Sequence, residues 1–226
     1  MPKYYMFNKP AGCVTARRDA EKKTVMDYFP EEWRDRLHPI GRLDLDTEGL
    51  LIVTDDGRLD NRLNQPDRHV SKRYYFRALG HIGKEEAERL EGGIELYHKG
   101  IEAKPAVFEP EGTSTVLENA ALIPPHRKSK WMRNPNGEVT SGWLTITEGK
   151  KHQVKLMIKS AGCRVFVLKR EQIGGLRLDP ALAPGAYREL TADELAALTG
   201  NADLSARPSL SDEPPAESDR SDHETV

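Results

Sequence analysis

The sequence predicts an α+β sheet protein in which strands outnumber helices. Seven short runs have the β-branched and aromatic content of strands, against five helix-like runs. They follow no regular strand–helix–strand rhythm, which argues against a doubly wound sheet. No internal repeat is found. The chain has 226 residues, 37% of them hydrophobic, enough for one or two domains with a core of their own.

In chain order, a strand is expected at 4–8 and a helix at 24–29. The run Leu50-Leu51-Ile52-Val53-Thr54 is a strand that ends in the turn Asp55-Asp56-Gly57, and a helix follows at 59–64. Then come a strand at 74–79, a helix at 84–90, and strands at 106–109, 115–118, 143–147 and 164–168. A helix at 151–161 aligns Val154, Met157, Ile158 and Ala161 as one apolar stripe, with Gly162 as a natural stop. The last helix, 192–198, carries a capping box: Thr191 as N-cap and Glu194 three residues on.

The net charge of −2 is unevenly placed. Residues 203–226 hold seven acids and two bases, a balance of −5, so residues 1–202 carry about +3. A mildly basic body permits a nucleic-acid partner. The acidic segment is rich in Ser and Pro and nearly lacks large apolar residues, so it is expected to be disordered. The domain reading is therefore a folded unit over 1–202 and a tail over 203–226. Only Cys13 and Cys163 occur, with no Cys-x-x-Cys pair, which excludes a disulfide framework and a cysteine-based zinc site. No apolar run approaches the roughly 20 residues of a membrane span. The N-terminus lacks signal-peptide architecture, so a cytoplasmic protein is expected. A long insertion, 120–137, interleaves His126, Arg127, Lys128, Lys130 and Arg133 with Trp131, a composition suited to phosphate contact and base stacking, or to a solvated loop.

The densest chemistry lies in Gly41-Arg42-Leu43-Asp44-Leu45-Asp46-Thr47-Glu48-Gly49, just before the apolar strand. Asp44, Asp46, Glu48, Gly49 and Asp55 fall at calcium-loop positions, but such a loop needs a helix on each side, and a strand runs through its second half. A polar turn feeding a buried strand explains Gly49 and Asp55–Gly57, yet not Arg42. In extended backbone Arg42 and Asp44 share a face, which gives a structural ion pair or a cation-paired carboxylate able to act as a nucleophile. Were 151–161 helical, Lys151, Lys155 and Lys159 would align at i, i+4 and i+8, a repulsive pattern that an anion would relieve.

Gly41-Arg42-Leu43-Asp44-x-x-Thr47-x-Gly49-Leu50-Leu51 resembles the signature of the pseudouridine synthases, in particular the branch that modifies bacterial ribosomal RNA (the RsuA family). Further elements agree, in family order from residue 8 to 191: Asn8-Lys9-Pro10-Ala11-Gly12, Lys72-Arg73-Tyr74, Glu148-Gly149-Lys150-Lys151-His152-Gln153-Val154-Lys155, Ile173-Gly174-Gly175-Leu176, and Leu182-Ala183-Pro184-Gly185 with Arg188-Glu189-Leu190-Thr191. The resemblance implies a mainly antiparallel or mixed sheet flanked by helices, with a central RNA-binding cleft. It implies a catalytic set of Asp44 as nucleophile, Tyr74 as base-stacking ring and proton-transfer group, and Lys155 as partner of Asp44. Arg42 would displace the flipped base, and Lys151, Lys159, Lys128, Lys130 and Trp131 are candidate RNA contacts. An isomerisation needs neither cofactor nor metal. The implied partner is structured RNA, above all ribosomal RNA or a ribosomal subunit precursor, with no membrane and no obligate protein partner. His152-Gln153-Val154-Lys155 and Ile173-Gly174-Gly175 look closer to the small-subunit enzyme. The branch's small N-terminal S4-type RNA-binding domain is expected to be absent, since the chain enters the catalytic first strand at once. The rival reading is a non-catalytic RNA-binding or ribosome-assembly factor with the same fold. Whether Asp44 forms an adduct or a glycal intermediate intervenes stays open.

Overall fold

Strand β1 (Tyr4–Lys9) is followed by a 3-10 helix (Val25–Tyr28), α1 (Glu31–Arg34) and β2 (His38–Ile40). Then come β3 (Glu48–Thr54), α2 (Gly57–Asn64), β4 (Lys72–Leu79) and α3 (Lys84–Gly92). The second half contains β5 (Val107–Thr115), α4 (Pro125–Trp131), β6 (Glu138–Ile146), α5 (Gln153–Ser160), β7 (Arg164–Ile173), β8 (Leu176–Arg177), β9 (Tyr187–Glu189) and α6 (Ala192–Thr199). The computed structural model describes residues 1–64 and 70–200; the tail expected to be disordered, 203–226, lies outside the described residues.

The strands form one mixed sheet in the order β5-β6-β4-β7-β3-β1-β9, with β2 beside β3 and β8 beside β7. The α+β expectation therefore holds. Apart from the β3–β7 pair, the strand pairs run antiparallel. The β3–β7 pair is parallel and holds for only two positions, Glu48 opposite Lys169 and Gly49 opposite Arg170. This short seam joins the two halves of the sheet, and the cleft described below is lined from both.

The unbroken apolar run of β3 reflects burial on both faces. Leu51 and Val53 join Tyr5 and Phe7 of β1 in the large core, with Phe29, Leu37 and Met157. Leu50 and Ile52 join Met6 in a second core, closed by Leu59, Ile173 and Leu198. Each such side chain contributes about 1.5–3 kcal/mol on burial, so β1 and β3 are held by packing on both faces of the sheet. The β4 strand shows simple alternation instead: Tyr74, Phe76 and Ala78 point into the large core. The Thr191–Glu194 capping box forms as its sequence demands, with Glu194 N donating to Thr191 Oγ1 at 3.2 Å and Thr191 N donating to Glu194 Oε2 at 2.9 Å.

The structure departs from the sequence expectation in several places. The strand expected at 115–118 does not form, since only Thr115 belongs to β5 and 116–118 are a turn. The run at 106–109 opens β5, which continues to Thr115 and whose register shifts between Pro110 and Gly112. A proline is tolerated there because β5 is an edge strand. The helix expected at 24–29 is a 3-10 helix, closed by Thr24 N donating to Asp27 Oδ2 at 2.7 Å. The helix expected at 151–161 starts at Gln153, because His152 adopts left-handed backbone at φ 57°. Lys151 therefore lies in a turn and does not continue the lysine row. Five short elements, α1, α4, β2, β8 and β9, were not expected. No helix among the described residues is long and apolar enough to cross a membrane.

Candidate active site

The segment between β2 and β3 has almost no regular structure, and its shape is set by Lys9. Alternation along β1 puts Tyr5, Phe7 and Lys9 on one face, so the lysine follows two core aromatics into the interior and is fully buried. Its ammonium donates to the carbonyl oxygens of Pro10 (3.0 Å), Asp44 (3.0 Å) and Thr47 (2.9 Å). Three acceptors match its three N–H bonds. Burial holds this ammonium below the usual lysine range, opposed by the field of the nearby acids Asp46, Glu48 and Asp44. Leu43 is clamped on both sides of its peptide by Thr15 Oγ1, at 3.1 and 2.8 Å, and Gly12 N donates to Leu45 O at 2.7 Å. The loop is thus fixed at residue after residue before any ligand arrives.

Lys9→Met should therefore remove a buried donor from three carbonyls at once, with Asp44 O, among the described residues, keeping only Thr47 N and Pro10 O only the weak Cys13 thiol. Unmade buried hydrogen bonds cost about 1–3 kcal/mol each, and local relaxation recovers part of that. A net loss of about 3 kcal/mol, or a melting temperature lower by about 6–12 °C, is expected in a thermal melt. An unchanged melt would show that Lys9 does not hold the loop.

Within this frame Asp44 turns its carboxylate outward. Its side chain is 29% exposed, so the oxygens are reachable and not sealed. Oδ2 accepts from Lys155 Nζ at 2.8 Å, and Oδ1 lies 3.4 Å from His152 Nε2. Lys155 also contacts Asp46 Oδ1. The turn bearing His152 is shaped by buried Gln153, whose Nε2 donates to Glu148 Oε1 at 2.6 Å and whose Oε1 accepts from Lys150 N at 2.9 Å. A non-glycine residue in left-handed backbone beside the Asp44 carboxylate is a strained position held by its surroundings.

A cleft of about 960 Å³ opens in front of Asp44. Tyr74 forms part of its wall, 8% exposed, with its ring also packed in the large core. Arg42 and Lys151 are exposed on its rim, and Arg170 and Lys72 line it from β7 and β4. A second cavity of about 480 Å³ is lined by Asp46, Arg127, Lys130, Lys159 and Arg164, and Lys155 borders both spaces.

The expected site residues therefore divide. Asp44, Lys155, Tyr74, Arg42 and Lys151 meet at the main cleft. Lys159 sits at the second cavity with its ammonium 3.8 Å from the Tyr97 ring centre, and Lys130 lies there too. Lys128 is exposed on α4 and lines neither space. Two expectations need correction. Trp131 is not an open stacking platform: it is 6% exposed, packed with Val116, Ile123 and Val139 and edge-on to Phe166 at 5.6 Å. Arg42 does not pair with Asp44, because Leu43 is pinned to Thr15 and the carboxylate turns toward α5; its side-chain partners are the Lys155 ammonium and the His152 ring. The calcium-loop reading also fails, since strands β2 and β3 flank the segment and the Lys155 ammonium sits between Asp44 and Asp46. Among the described residues no group of three His, Cys, Asp or Glu side chains could hold a metal.

Sequence reasoning missed roles for Lys9, Lys72, His152 and Arg170. For Lys9 a signal was present: it continues the inward-facing alternation Tyr5, Phe7. For Arg170 none was, since its surroundings come from β3 and β4.

Residues 3–160 match the family model for RNA pseudouridylate synthase. An uncharacterized RNA pseudouridine synthase of Bacillus subtilis (strain 168) is 43% identical over 193 residues, covering 85% of this chain and 71% of that protein. Ribosomal small subunit pseudouridine synthase A of Escherichia coli (strain K12) is 37% identical over 197 residues, covering 87% of this chain and 74% of that protein. A crystal structure of pseudouridylate synthase shares the fold with a TM-score of 0.71 at 32% sequence identity, covering 88% of this chain and 74% of that one. With the family matched over most of its length and the fold held in common, this chain belongs to the RNA pseudouridine synthases, in the RsuA-like branch.

Proposed function

We propose that the chain converts one specific uridine of structured ribosomal RNA into pseudouridine, with Asp44 as the nucleophile. The observation that carries this reading is the Asp44 carboxylate: cation-paired, partly exposed, and facing a cleft large enough for a nucleotide. The reaction breaks the N1–C1′ bond, turns the base and joins C5 to C1′. C5 gives up its proton and N1 gains one, so atoms and electrons balance without a redox partner or co-substrate. Nothing in that sequence calls for a cofactor.

Each residue then has a part. Lys155 offsets the carboxylate's repulsion from RNA phosphates and fixes Oδ2, while Oδ1, held among the described residues only by a 3.4 Å contact with His152 Nε2, turns toward the sugar or base. Arg42 on the rim stacks into the space a flipped base leaves, since its planar guanidinium can stack and donate together. Tyr74 offers a ring face for the extruded uracil, and its hydroxyl makes no hydrogen bond among the described residues, so it is available for proton transfer. Lys151 on the rim, with Lys130 and Lys159 at the second cavity, gives the RNA backbone a continuous cationic path past Lys155. The likeness to a ribosomal small subunit enzyme favours small-subunit RNA as the target.

The test is tritium release from C5-tritiated transcripts of each ribosomal RNA, followed by pseudouridine mapping. Release from the small-subunit transcript at a single mapped position supports the reading. RNA binding with no release from any transcript, free or assembled with ribosomal proteins, would favour the rival, a binding factor that keeps the fold.

A further inference from the structure

Two more cations line the cleft and take no part in holding Asp44. Arg170 is 3% exposed; its Nε donates to Leu50 O at 2.8 Å, and its Nη2 is buried with no hydrogen-bond partner. Lys72 Nζ donates only to Val70 O, at 3.0 Å. Among the described residues neither forms a salt bridge. Burial, and after it the charge of Arg170, pushes the Lys72 ammonium below the usual lysine range. A fold selected for stability alone gains nothing from two neighbouring cations and a buried N–H without an acceptor.

Their position tells what they await. Arg170 lies opposite Tyr74 across the β4–β7 ladder, and Lys72 precedes Tyr74 by two residues on β4. All three line the one cleft. A uridine with its base on Tyr74 and its sugar toward Asp44 therefore brings its own backbone phosphate within reach of these cations. A guanidinium and an ammonium side by side suit the oxygens of a phosphodiester. We propose that Lys72 and Arg170 form a subsite for the phosphodiester group adjoining the target uridine, an inference that rests on the isomerase reading above.

The experiment titrates the full chain, at low salt, with uridine, uridine 3′-monophosphate and uridine 5′-monophosphate, followed by NMR. At least one monophosphate should bind the wild type about tenfold more tightly than uridine, and which one it is identifies the phosphate that is held. Lys72→Gln should cut this preference to below about threefold and leave uridine binding unchanged, whereas Lys72→Arg should keep most of it. Arg170→Lys should weaken it too; because Arg170 also holds Leu50 O, its variant is read only alongside a thermal melt. Lys84→Gln, at an exposed helix position, should keep the full preference and so control for general charge. Equal binding of uridine and both monophosphates by the wild type overturns the subsite, as does undetectable binding of the monophosphates. An equal loss for uridine and monophosphates in Lys72→Gln overturns it as well, by assigning the pair to the base. Tritium release separates the two readings: release without phosphate preference removes only the subsite, and phosphate preference without release removes the isomerase.

Discussion

Asp44→Asn is expected to abolish tritium release, by at least about 10⁴-fold, with the fold and RNA binding intact. Removing a nucleophile that acts as one member of a set costs losses of this order or more. Asparagine has the same shape, and its carbonyl oxygen can still accept from Lys155, so the loop held by Lys9, Thr15 and Gly12 has no reason to move. What it lacks is the negative charge. Because a carboxylate in a cationic cleft repels phosphate, RNA affinity should hold or rise slightly in the variant. That pairing of a dead reaction with undiminished binding is the signature of a chemical role, and a loss of both together would mean only that the cleft had collapsed. Tritium release within about tenfold of the wild type would remove Asp44 from the mechanism.

What the sequence disclosed was what local chemistry or the family pattern carries. The run Leu50–Val53 is a buried strand by composition alone, and Thr191 with Glu194 forms its cap within one turn. The apolar stripe Val154, Met157, Ile158 faces the core as its spacing requires. The Asp44–Lys155 pair spans 111 positions, and only the family resemblance linked the two residues. Where neither kind of information applied, expectation failed. Trp131 looked like a stacking residue because basic neighbours surround it in sequence, yet α4 turns it onto Val116 and Val139. Strands β2, β8 and β9 are two or three residues long, so their pairing partners define them more than their own composition does. His152 shows no sign in sequence of its left-handed backbone, which the Glu148–Gln153 network imposes. Arg42 was expected to pair with Asp44 on a shared face, but the Asp44 carboxylate turns toward α5, where Lys155 Nζ donates to it at 2.8 Å.

Gly49→Ala should be among the most damaging single-methyl changes at the described residues. Gly49 stands at φ +101°, where side chains other than hydrogen are strained, at about 1–3 kcal/mol. An added Cβ would also lie 2.2 Å from Arg170 O and 2.9 Å from Arg170 N, both backbone atoms, so the clash cannot be relieved by a rotamer change. Overpacking adds about 1–3 kcal/mol, and together the two effects predict a loss of about 4 kcal/mol, or roughly 8–16 °C in the thermal midpoint. The consequence reaches the chemistry because Gly49 opposite Arg170 is half of the two-position parallel seam. Pushing β3 from β7 also strains the Arg170–Leu50 hydrogen bond at 2.8 Å and separates the loop bearing Asp44 from the wall bearing Tyr74. Activity should therefore fall by more than the unfolded fraction explains, even well below the melting point. Gly57→Ala is the control: its Cβ would meet nothing within 4 Å, so the melt should hold or rise slightly. If Gly49→Ala melts within about 2 °C of the wild type, β3 and β7 do not meet as tightly as this structure places them, and the cleft must be held together by contacts other than the seam.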